Sequence, residues 1–185
     1  MQHIERALND IINDIAKNPH VPLEQIPNID LYMDQVTTFS EEVLSAYKRN
    51  DSDKVLTKTM INNYTKGKIL PPPIKKKYTK RHIILLILTY HLKSILTLPD
   101  IQALLGRLSN YDDETIENFY TIFLKLQSEE QMNFDMARLQ LTSAMQDEEL
   151  ELILIILDLI VQANHRKQIA EKIIDTYFLK PQKKV

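Results

Sequence analysis

One stretch of the chain, residues 54–99, concentrates the side chains that could bind a polyanion. It holds ten Lys and Arg residues and not one Asp or Glu. The whole chain has 23 basic and 25 acidic residues, so the remainder carries a net charge of −12. A strongly basic segment within an otherwise acidic chain indicates a polyanionic partner such as nucleic acid.

The first half of this basic stretch has the residue types of a DNA-reading helix. Met60, Ile61 and Tyr64 recur at helical spacing, and Thr57 precedes them as a candidate N-cap. Asn suits pairing with adenine edges in the major groove, and Lys suits phosphates or guanine. We therefore expect contacts to base edges from three residues on the other faces of this helix: Lys58, Asn62 and Asn63.

The second half of the stretch predicts a stiff, Lys-rich loop. Gly67 is the expected left-handed residue that ends the helix, and the prolines at 71–73 force an extended segment. Lysines on such a loop can lie along a phosphate backbone at little cost in ordering. The predicted phosphate contacts are the lysines in and beside this loop: Lys54, Lys66, Lys68, Lys75, Lys76 and Lys77.

Three runs in this region, LTKTMINNYTKGKILPP, KKKYTKRHIILL and SILTLPDIQALL, resemble the winged helix-turn-helix of the MerR regulators. Over residues 26–106 the chain is also similar to a bacterial family called domain of unknown function 1836. In this resemblance Thr57 takes the capping position, Tyr64 the second of two paired tyrosines, and Tyr78 the tyrosine that closes the wing. The resemblance implies a winged helix-turn-helix that binds duplex DNA, with these three residues at its DNA-binding surface.

Several positions depart from the MerR pattern. Thr59 and Asn62 stand where MerR proteins usually carry Arg, Asn63 stands in place of the first tyrosine, and the wing lacks its glycine. The base preference of that family therefore does not carry over. Tyr64 and Tyr78 have two interpretations, either a contact to phosphate or a place in the core with a satisfied hydroxyl.

Composition favours a mainly α fold. The 185 residues are 44% apolar and include only two glycines, too few for a fold rich in strands and tight turns. The absence of cysteine excludes disulfides and thiolate metal sites and suits a reducing compartment. The N-terminus lacks the layout of a signal peptide, and no long uncharged apolar run occurs. We expect a cytoplasmic protein that does not enter a membrane.

Apolar periodicity divides the chain into three predicted parts. Residues 1–25 contain an amphipathic helix at 2–17 and a proline-rich connector, residues 26–108 form the MerR-like DNA-binding domain, and residues 109–185 form a helical bundle for dimerisation or sensing. Asp30 is the predicted cap of a first helix, Thr79 that of a buried central helix, and Gly106 closes the unit. The predicted helices span residues 2–17, 31–47, 57–66, 82–96, 115–127, 128–145, 148–164 and 166–179.

No pattern in the chain indicates catalysis. The five histidines lack metal-ligand spacing, two glycines cannot build a phosphate-binding loop, and no nucleophile elbow occurs. We predict no enzyme activity, metal or cofactor. The sequence favours a transcription regulator that binds double-stranded DNA as a homodimer, and it leaves open a small-molecule effector. The alternative is a non-catalytic adaptor that keeps the helix-turn-helix fold and docks its basic face on an acidic protein.

Overall fold

The computed structural model describes residues 20–129 except Arg49 and Ser109, together with single residues and short runs between 159 and 179. This part of the chain is mainly helical, as composition predicts. The predicted helices at 2–17, 128–145 and 148–164 lie wholly or largely outside the described residues. The helices and strands are β1 (Leu31–Tyr32), α1 (Met33–Leu44), α2 (Lys58–Lys66), β2 (Lys77–Tyr78), α3 (Lys80–Leu92), α4 (Leu98–Leu108) and α5 (Asp113–Glu129), with 3-10 turns at Leu23–Gln25 and Ser45–Tyr47.

The buried central helix is confirmed as α3. Residues 82–89 are all buried, because the helix is apolar on nearly every side and needs cover all round. Thr79 caps it as predicted, and its backbone N–H donates to Nδ1 of His82 at 3.0 Å. Helices α1, α4 and α5 pack against α3, while α2 packs on α1. Helix α3 therefore contacts the other named helices, directly or, for α2, through α1.

The first predicted helix begins two residues later than expected, because its start forms a strand. Leu31 pairs with Tyr78 and Tyr32 with Lys77 in an antiparallel two-stranded sheet. Tyr32 rather than Asp30 is then the N-cap of α1, and its N–H donates to Oε1 of Gln35 at 2.8 Å. The sheet ties the start of α1 to the end of the Lys-rich loop.

Helix α2 begins where it was predicted, but its end differs in detail. The Thr57 hydroxyl accepts from the Met60 N–H at 3.2 Å, which confirms the cap. Gly67 has φ −76° and is not the left-handed residue, so that expectation is wrong. The reversal comes one residue later, at Lys68 with φ 56°. Gly67 instead continues the helical hydrogen bonding, because its N–H donates to the Asn63 carbonyl at 2.8 Å.

Gly106 lies inside α4 rather than at the end of the unit, since α4 continues to Leu108. A Cβ at Gly106 would stand 3.0 Å from the carbonyl oxygen of Lys68. The glycine therefore lets α4 approach the backbone that follows α2 more closely than most side chains would permit. In this way α4 supports the turn that carries Lys68.

The core continues past the predicted boundary at residue 108. Ile116 and Tyr120 of α5 are buried with α3, and the Tyr120 hydroxyl donates to the Val21 carbonyl at 2.7 Å. Helix α5 also continues through Ser128, where a new helix was predicted to begin. Farther along the chain, Ile174 is buried as well. The domain limits at 25/26 and 108/109 stay predictions, but these contacts join the connector and α5 to one core.

Candidate nucleic-acid interface

Helix α2 presents one polar, exposed side. Ile61 and Tyr64 are buried and Met60 packs partly against the core, so the helical period places the polar positions between them on the outer side. The three predicted base-edge residues are all exposed, together with one threonine and the lysine of the last turn. The exposed side of α2 consists of Lys58, Thr59, Asn62, Asn63 and Lys66.

The Lys-rich loop ends in a two-residue turn. Ile74 and Lys77 exchange backbone hydrogen bonds of 3.0 and 2.9 Å, and between them Lys75 and Lys76 have φ of 50° and 65°. Positive φ at both central residues is the geometry of a type I′ hairpin turn, in which Asn and Gly are strongly preferred. A non-glycine residue there costs about 1 kcal/mol. The chain nevertheless places two exposed ammonium groups at this tip.

The ten basic residues of the stretch fall into three groups: three that stabilise the fold, five without an ion pair or hydrogen bond in the described part of the chain, and two that contact α1 and β1. The last two are Lys58, paired with Asp34, and Lys77, over the Tyr32 ring. Lys80 lies 3.0 Å from Glu117 and Arg81 lies 2.9 Å from Asp113, so both attach the start of α3 to α5. Lys93 donates to a backbone carbonyl at 2.8 Å, and burial lowers the pKa of its ammonium. These three residues stabilise the fold and are not free to hold phosphates.

Five exposed lysines of the stretch have neither an ion pair nor a hydrogen bond from their side chains within the described part of the chain. Their ammonium groups are therefore accessible to an external anion. All three non-glycine residues with positive φ among the described residues belong to this group. The five are Lys54, Lys66, Lys68, Lys75 and Lys76.

A line of contacts joins the start of α2 to the turn. Lys58 forms an ion pair with Asp34, which lies in the first turn of α1, two residues after Tyr32. The Lys77 ammonium lies 5.2 Å from the centroid of the Tyr32 ring, and Lys77 pairs with Ile74. The start of α1 thus brings the predicted base-edge residues of α2 close to the predicted phosphate-binding residues of the turn. Sequence reasoning missed Asp34, Tyr32 and Ile74, because only the strand pairing brings them to this surface.

Three predicted site residues have structural roles. Tyr64 is 5% exposed and Tyr78 is 3% exposed, and burial raises the pKa of both phenols. The structure therefore favours the core interpretation over a phosphate contact for both tyrosines. The Thr57 hydroxyl accepts the capping hydrogen bond of α2. Thr57 positions the helix rather than offering a free donor.

His82 lies buried between the start of α3 and the proline segment. Its Nδ1 accepts from the Thr79 N–H, so the neutral tautomer carries its proton on Nε2. Burial is the main reason that the pKa of His82 is lowered, and the carbonyls of Pro71 and Pro72 oppose this effect. Protonation of Nδ1 would remove the acceptor of the capping box. His82 is therefore a pH-sensitive support of the loop that carries the turn.

We expect acid to destabilise the protein in part through His82. Its folded-state pKa lies below the ordinary histidine value of 6.5, so the unfolded chain takes up the proton first. Stability is then complete above about pH 6.5 and falls as the pH drops toward the lowered folded-state pKa. The measurement is the urea midpoint at about pH 7.5 and about pH 5.5 for wild type and His82→Gln.

Gln at position 82 keeps an acceptor for the Thr79 N–H, as Gln35 does for Tyr32. The variant should therefore lose less stability between the two pH values than wild type does. The pKa of His91 is also lowered by burial, but His91 is present in both proteins and its effect cancels. An equal loss in both proteins would show that His82 is not responsible.

The described residues define a small helical unit with a two-stranded sheet and a turn that presents lysines. Within them, no helix combines the length and apolar character needed to cross a bilayer. The chain belongs to the family described as Domain of unknown function (DUF1836), whose model matches residues 21–123. No curated protein and no solved structure matches the chain.

Proposed function

We propose that this protein is a cytoplasmic transcription regulator that binds duplex DNA through a MerR-like winged helix-turn-helix. Helix α2 enters the major groove with Lys58, Asn62 and Asn63 at base edges. The turn at 74–77 acts as a short wing that lies along the phosphate backbone. The free lysines that hold phosphates are Lys54, Lys66, Lys68, Lys75 and Lys76.

The observation that carries the proposal is the conformation of the free lysines. Lys68, Lys75 and Lys76 hold a backbone geometry that glycine or asparagine adopts more easily, and none of their ammonium groups has a partner among the described residues. Strained residues persist where the surrounding structure and a function both require them. Binding a polyanion is a function that explains lysine at all three positions.

The order of elements also supports the proposal. Strand, helix, exposed basic helix, tight turn and returning strand follow one another between β1 and β2, and this succession agrees with the resemblance to winged helix-turn-helix proteins. The contacts from Lys58 through Asp34 and Tyr32 to Lys77 keep α2 and the turn adjacent. A helix and a wing side by side suit one face of a duplex.

The test is binding of the purified protein to mixed-sequence duplex DNA, measured by fluorescence anisotropy at several salt concentrations. Five phosphate contacts predict a slope of about −4.5 for the logarithm of affinity against the logarithm of salt concentration. We expect binding that weakens steeply between about 50 and 200 mM salt. Absence of binding at the lowest salt concentration would overturn the proposal.

Asp34→Asn is expected to strengthen DNA binding severalfold at low salt. Asp34 is the acidic residue paired with Lys58, and both side chains are well exposed, so the pair itself contributes little to stability. Its loss removes a charge that repels phosphates and releases the Lys58 ammonium for the duplex. Anisotropy titrations of both proteins on one duplex measure the change.

The control for this prediction is Glu24→Gln, which removes the same charge from an exposed position that borders α5 rather than α2 or the turn. Only a small rise in affinity is expected there, because screening reduces the effect of a more distant charge. If Asp34→Asn leaves the affinity unchanged or lowers it, Lys58 is not at the duplex.

A specific observation favours the adaptor as a second candidate. The connection between α1 and α2 is longer than a tight helix-turn-helix turn, and it borders a surface groove together with α1. Acidic side chains line this groove at Glu41, Glu42, Asp51 and Asp53. Acids beside the start of α2 repel the phosphates of DNA, whereas a protein partner can present basic residues to this groove beside its acidic surface. In that case DNA binding is absent and the basic face captures an acidic protein.

We also propose that the protein acts as a homodimer. Helix α5 leaves Phe119 and Ile122 exposed at 44% and 49%, at helical spacing on one side. A single module of this size binds DNA weakly, whereas a two-fold dimer reads paired half-sites. Sedimentation equilibrium of the full chain tests this, and a monomer at micromolar concentration would contradict it.

A further inference from the structure

The last turn of α4 touches two distant parts of the chain through neighbouring residues. Gly106 approaches the Lys68 carbonyl so closely that a Cβ would stand 3.0 Å from its oxygen. The Arg107 guanidinium donates to the Phe178 carbonyl at 3.1 Å, and its Cζ lies 4.9 Å from the centroid of the Phe178 ring. We call residues 67–70 the Lys68 turn. The end of α4 therefore connects the Lys68 turn with a segment near the C-terminus.

The segment that Arg107 contacts is the end of a helix. The N–H groups of Phe178 and Leu179 both donate to the Ile174 carbonyl, at 2.9 and 3.1 Å, as is common at a helix C-terminus. Ile174 is buried and Phe178 packs partly against the core, whereas Tyr177 is exposed. We call Ile174, Phe178 and Leu179 the C-terminal turn. Carbonyls at a helix end lack donors within the helix, so a guanidinium stabilises this end through both its hydrogen bond and its charge.

The last turn of α4 needs support from outside the helix. Helix ends fray, and glycine favours the helical conformation less than every residue except proline. Gly106 lies in this turn, so the contacts of its neighbours decide whether the turn stays helical. Docking of the C-terminal turn on Arg107 supplies such a contact. Without it, residues 106–108 fray more easily and lose their contact with the Lys68 carbonyl.

We infer that the C-terminal turn sets the DNA affinity of the protein by holding the Lys68 turn in place through the end of α4. This inference rests on the proposed function, in which Lys68 contacts a phosphate, and adds a means of regulating it. With the C-terminal turn docked, Lys68 keeps its φ of 56° and presents its ammonium to the duplex. Undocking loosens the Lys68 turn, and that phosphate contact is lost. Because coupling between two sites is reciprocal, DNA binding also stabilises the docked C-terminal turn.

The inference is tested with Phe178→Ala, measured by anisotropy over a range of salt concentrations. Loss of one phosphate contact should make the salt slope shallower by about 0.9, although this substitution removes no charge. The affinity should fall about fivefold at about 0.1 M salt. Tyr177→Ala is the matched control, because it removes an exposed ring from the neighbouring residue and should change neither quantity.

A double-mutant cycle with Lys68→Gln identifies the phosphate contact that is lost. If the C-terminal turn acts through Lys68, Phe178→Ala should weaken binding in wild type and have no further effect in Lys68→Gln. Arg107→Lys is a milder second variant, because it keeps the charge but loses the planar guanidinium that stacks on the Phe178 ring. It should change the affinity in the same direction as Phe178→Ala, by a smaller factor.

Hydrogen exchange without DNA tests the coupling separately from DNA binding. In the Lys68 turn, the Ile69 and Leu70 N–H groups donate to the Tyr64 carbonyl at 3.0 and 3.3 Å. Both should exchange faster in Phe178→Ala than in wild type, because the turn opens locally more often. The Gln25 N–H serves as an internal reference, since it lies in the 3-10 turn that packs against α5, and its exchange should not change.

The outcomes separate this inference from the proposed function. Equal affinity and salt slope of Phe178→Ala and wild type would overturn the inference, as would a full effect of Phe178→Ala in Lys68→Gln. If urea unfolding shows that Phe178→Ala does not fold, Arg107→Lys decides by the same criteria. If wild type binds no DNA, the proposed function fails, and faster exchange of Ile69 and Leu70 would still establish the coupling. Unchanged exchange would overturn the inference as well.

Discussion

Replacing Lys75 with Asn and Lys76 with Gly is expected to weaken DNA binding roughly tenfold to a hundredfold while making the protein more stable. Two phosphate contacts disappear, so the salt slope should become shallower by about 1.8. Asn-Gly is the preferred pair for a type I′ turn, and it removes the strain of two lysines at positive φ. The gain in the free energy of unfolding is about 1 to 2 kcal/mol.

The opposite signs of the two effects make this variant informative. A substitution that damages the fold lowers stability and binding together, whereas this one separates the charge of the turn from its geometry. Anisotropy gives the affinity and the salt slope, and urea unfolding gives the stability. Lys183→Asn with Lys184→Gly removes the same charge near the C-terminus and should have a much smaller effect on both. Equal affinity of the turn variant and wild type would remove Lys75 and Lys76 from the interface.

The helices were predictable from sequence because their signals are local. The Thr57 cap and the apolar spacing of Ile61 and Tyr64 lie within the nine residues of α2 and its cap. In the same way, the continuous apolar run of α3 predicts a helix that is buried on all sides, and residues 82–89 are all buried. The basic character of the exposed surface was also predictable, because residues 54–99 contain many lysines and no Asp or Glu.

The sheet and the turn could not be predicted by the same means. Each strand has two residues, too few for a period, and the pairing joins positions far apart in the chain. The turn gave no signal either, because lysine is not a residue that type I′ geometry favours. As a result, Asp34, Tyr32 and Ile74 were missed, although they connect α2 to the turn. The tyrosines posed a different problem, since only the packing shows that Tyr64 and Tyr78 belong to the core.

Local sequence signals also do not show whether α5 packs with the helices that precede it. Acidic residues at 112–114 mark a change in composition, which suggested a boundary before α5. In the structure the acids have partners, since Asp113 pairs with Arg81 and the Asp112 carboxylate accepts from the Thr115 N–H at 2.8 Å. The change of charge at 112–114 therefore does not by itself decide whether α5 belongs to the same unit, and the boundary at residue 108 stays a prediction.

Tyr120→Ala is expected to be the most destabilising of these substitutions. The Tyr120 ring is fully buried, stacks on Phe123, and its hydroxyl binds the carbonyl of Val21, which precedes the predicted DNA-binding domain. Burial also raises the pKa of the phenol far above its usual range, so the hydroxyl stays a donor. The cavity and the lost hydrogen bond should lower the free energy of unfolding by about 3 to 5 kcal/mol.

Two companion variants divide this loss into its physical parts. Tyr120→Phe keeps the ring and removes the hydrogen bond to Val21, which should cost about 1 kcal/mol. Tyr111→Ala removes a ring of the same kind that is 55% exposed and should cost less than about 1 kcal/mol. Urea unfolding with a single transition for all three variants would mean that α5 and residues 21–108 unfold as one unit. If Tyr120→Ala instead leaves the main transition unchanged, α5 does not contribute to the stability of residues 21–108. That result would support the predicted domain boundary at residue 108, although α5 packs against α3.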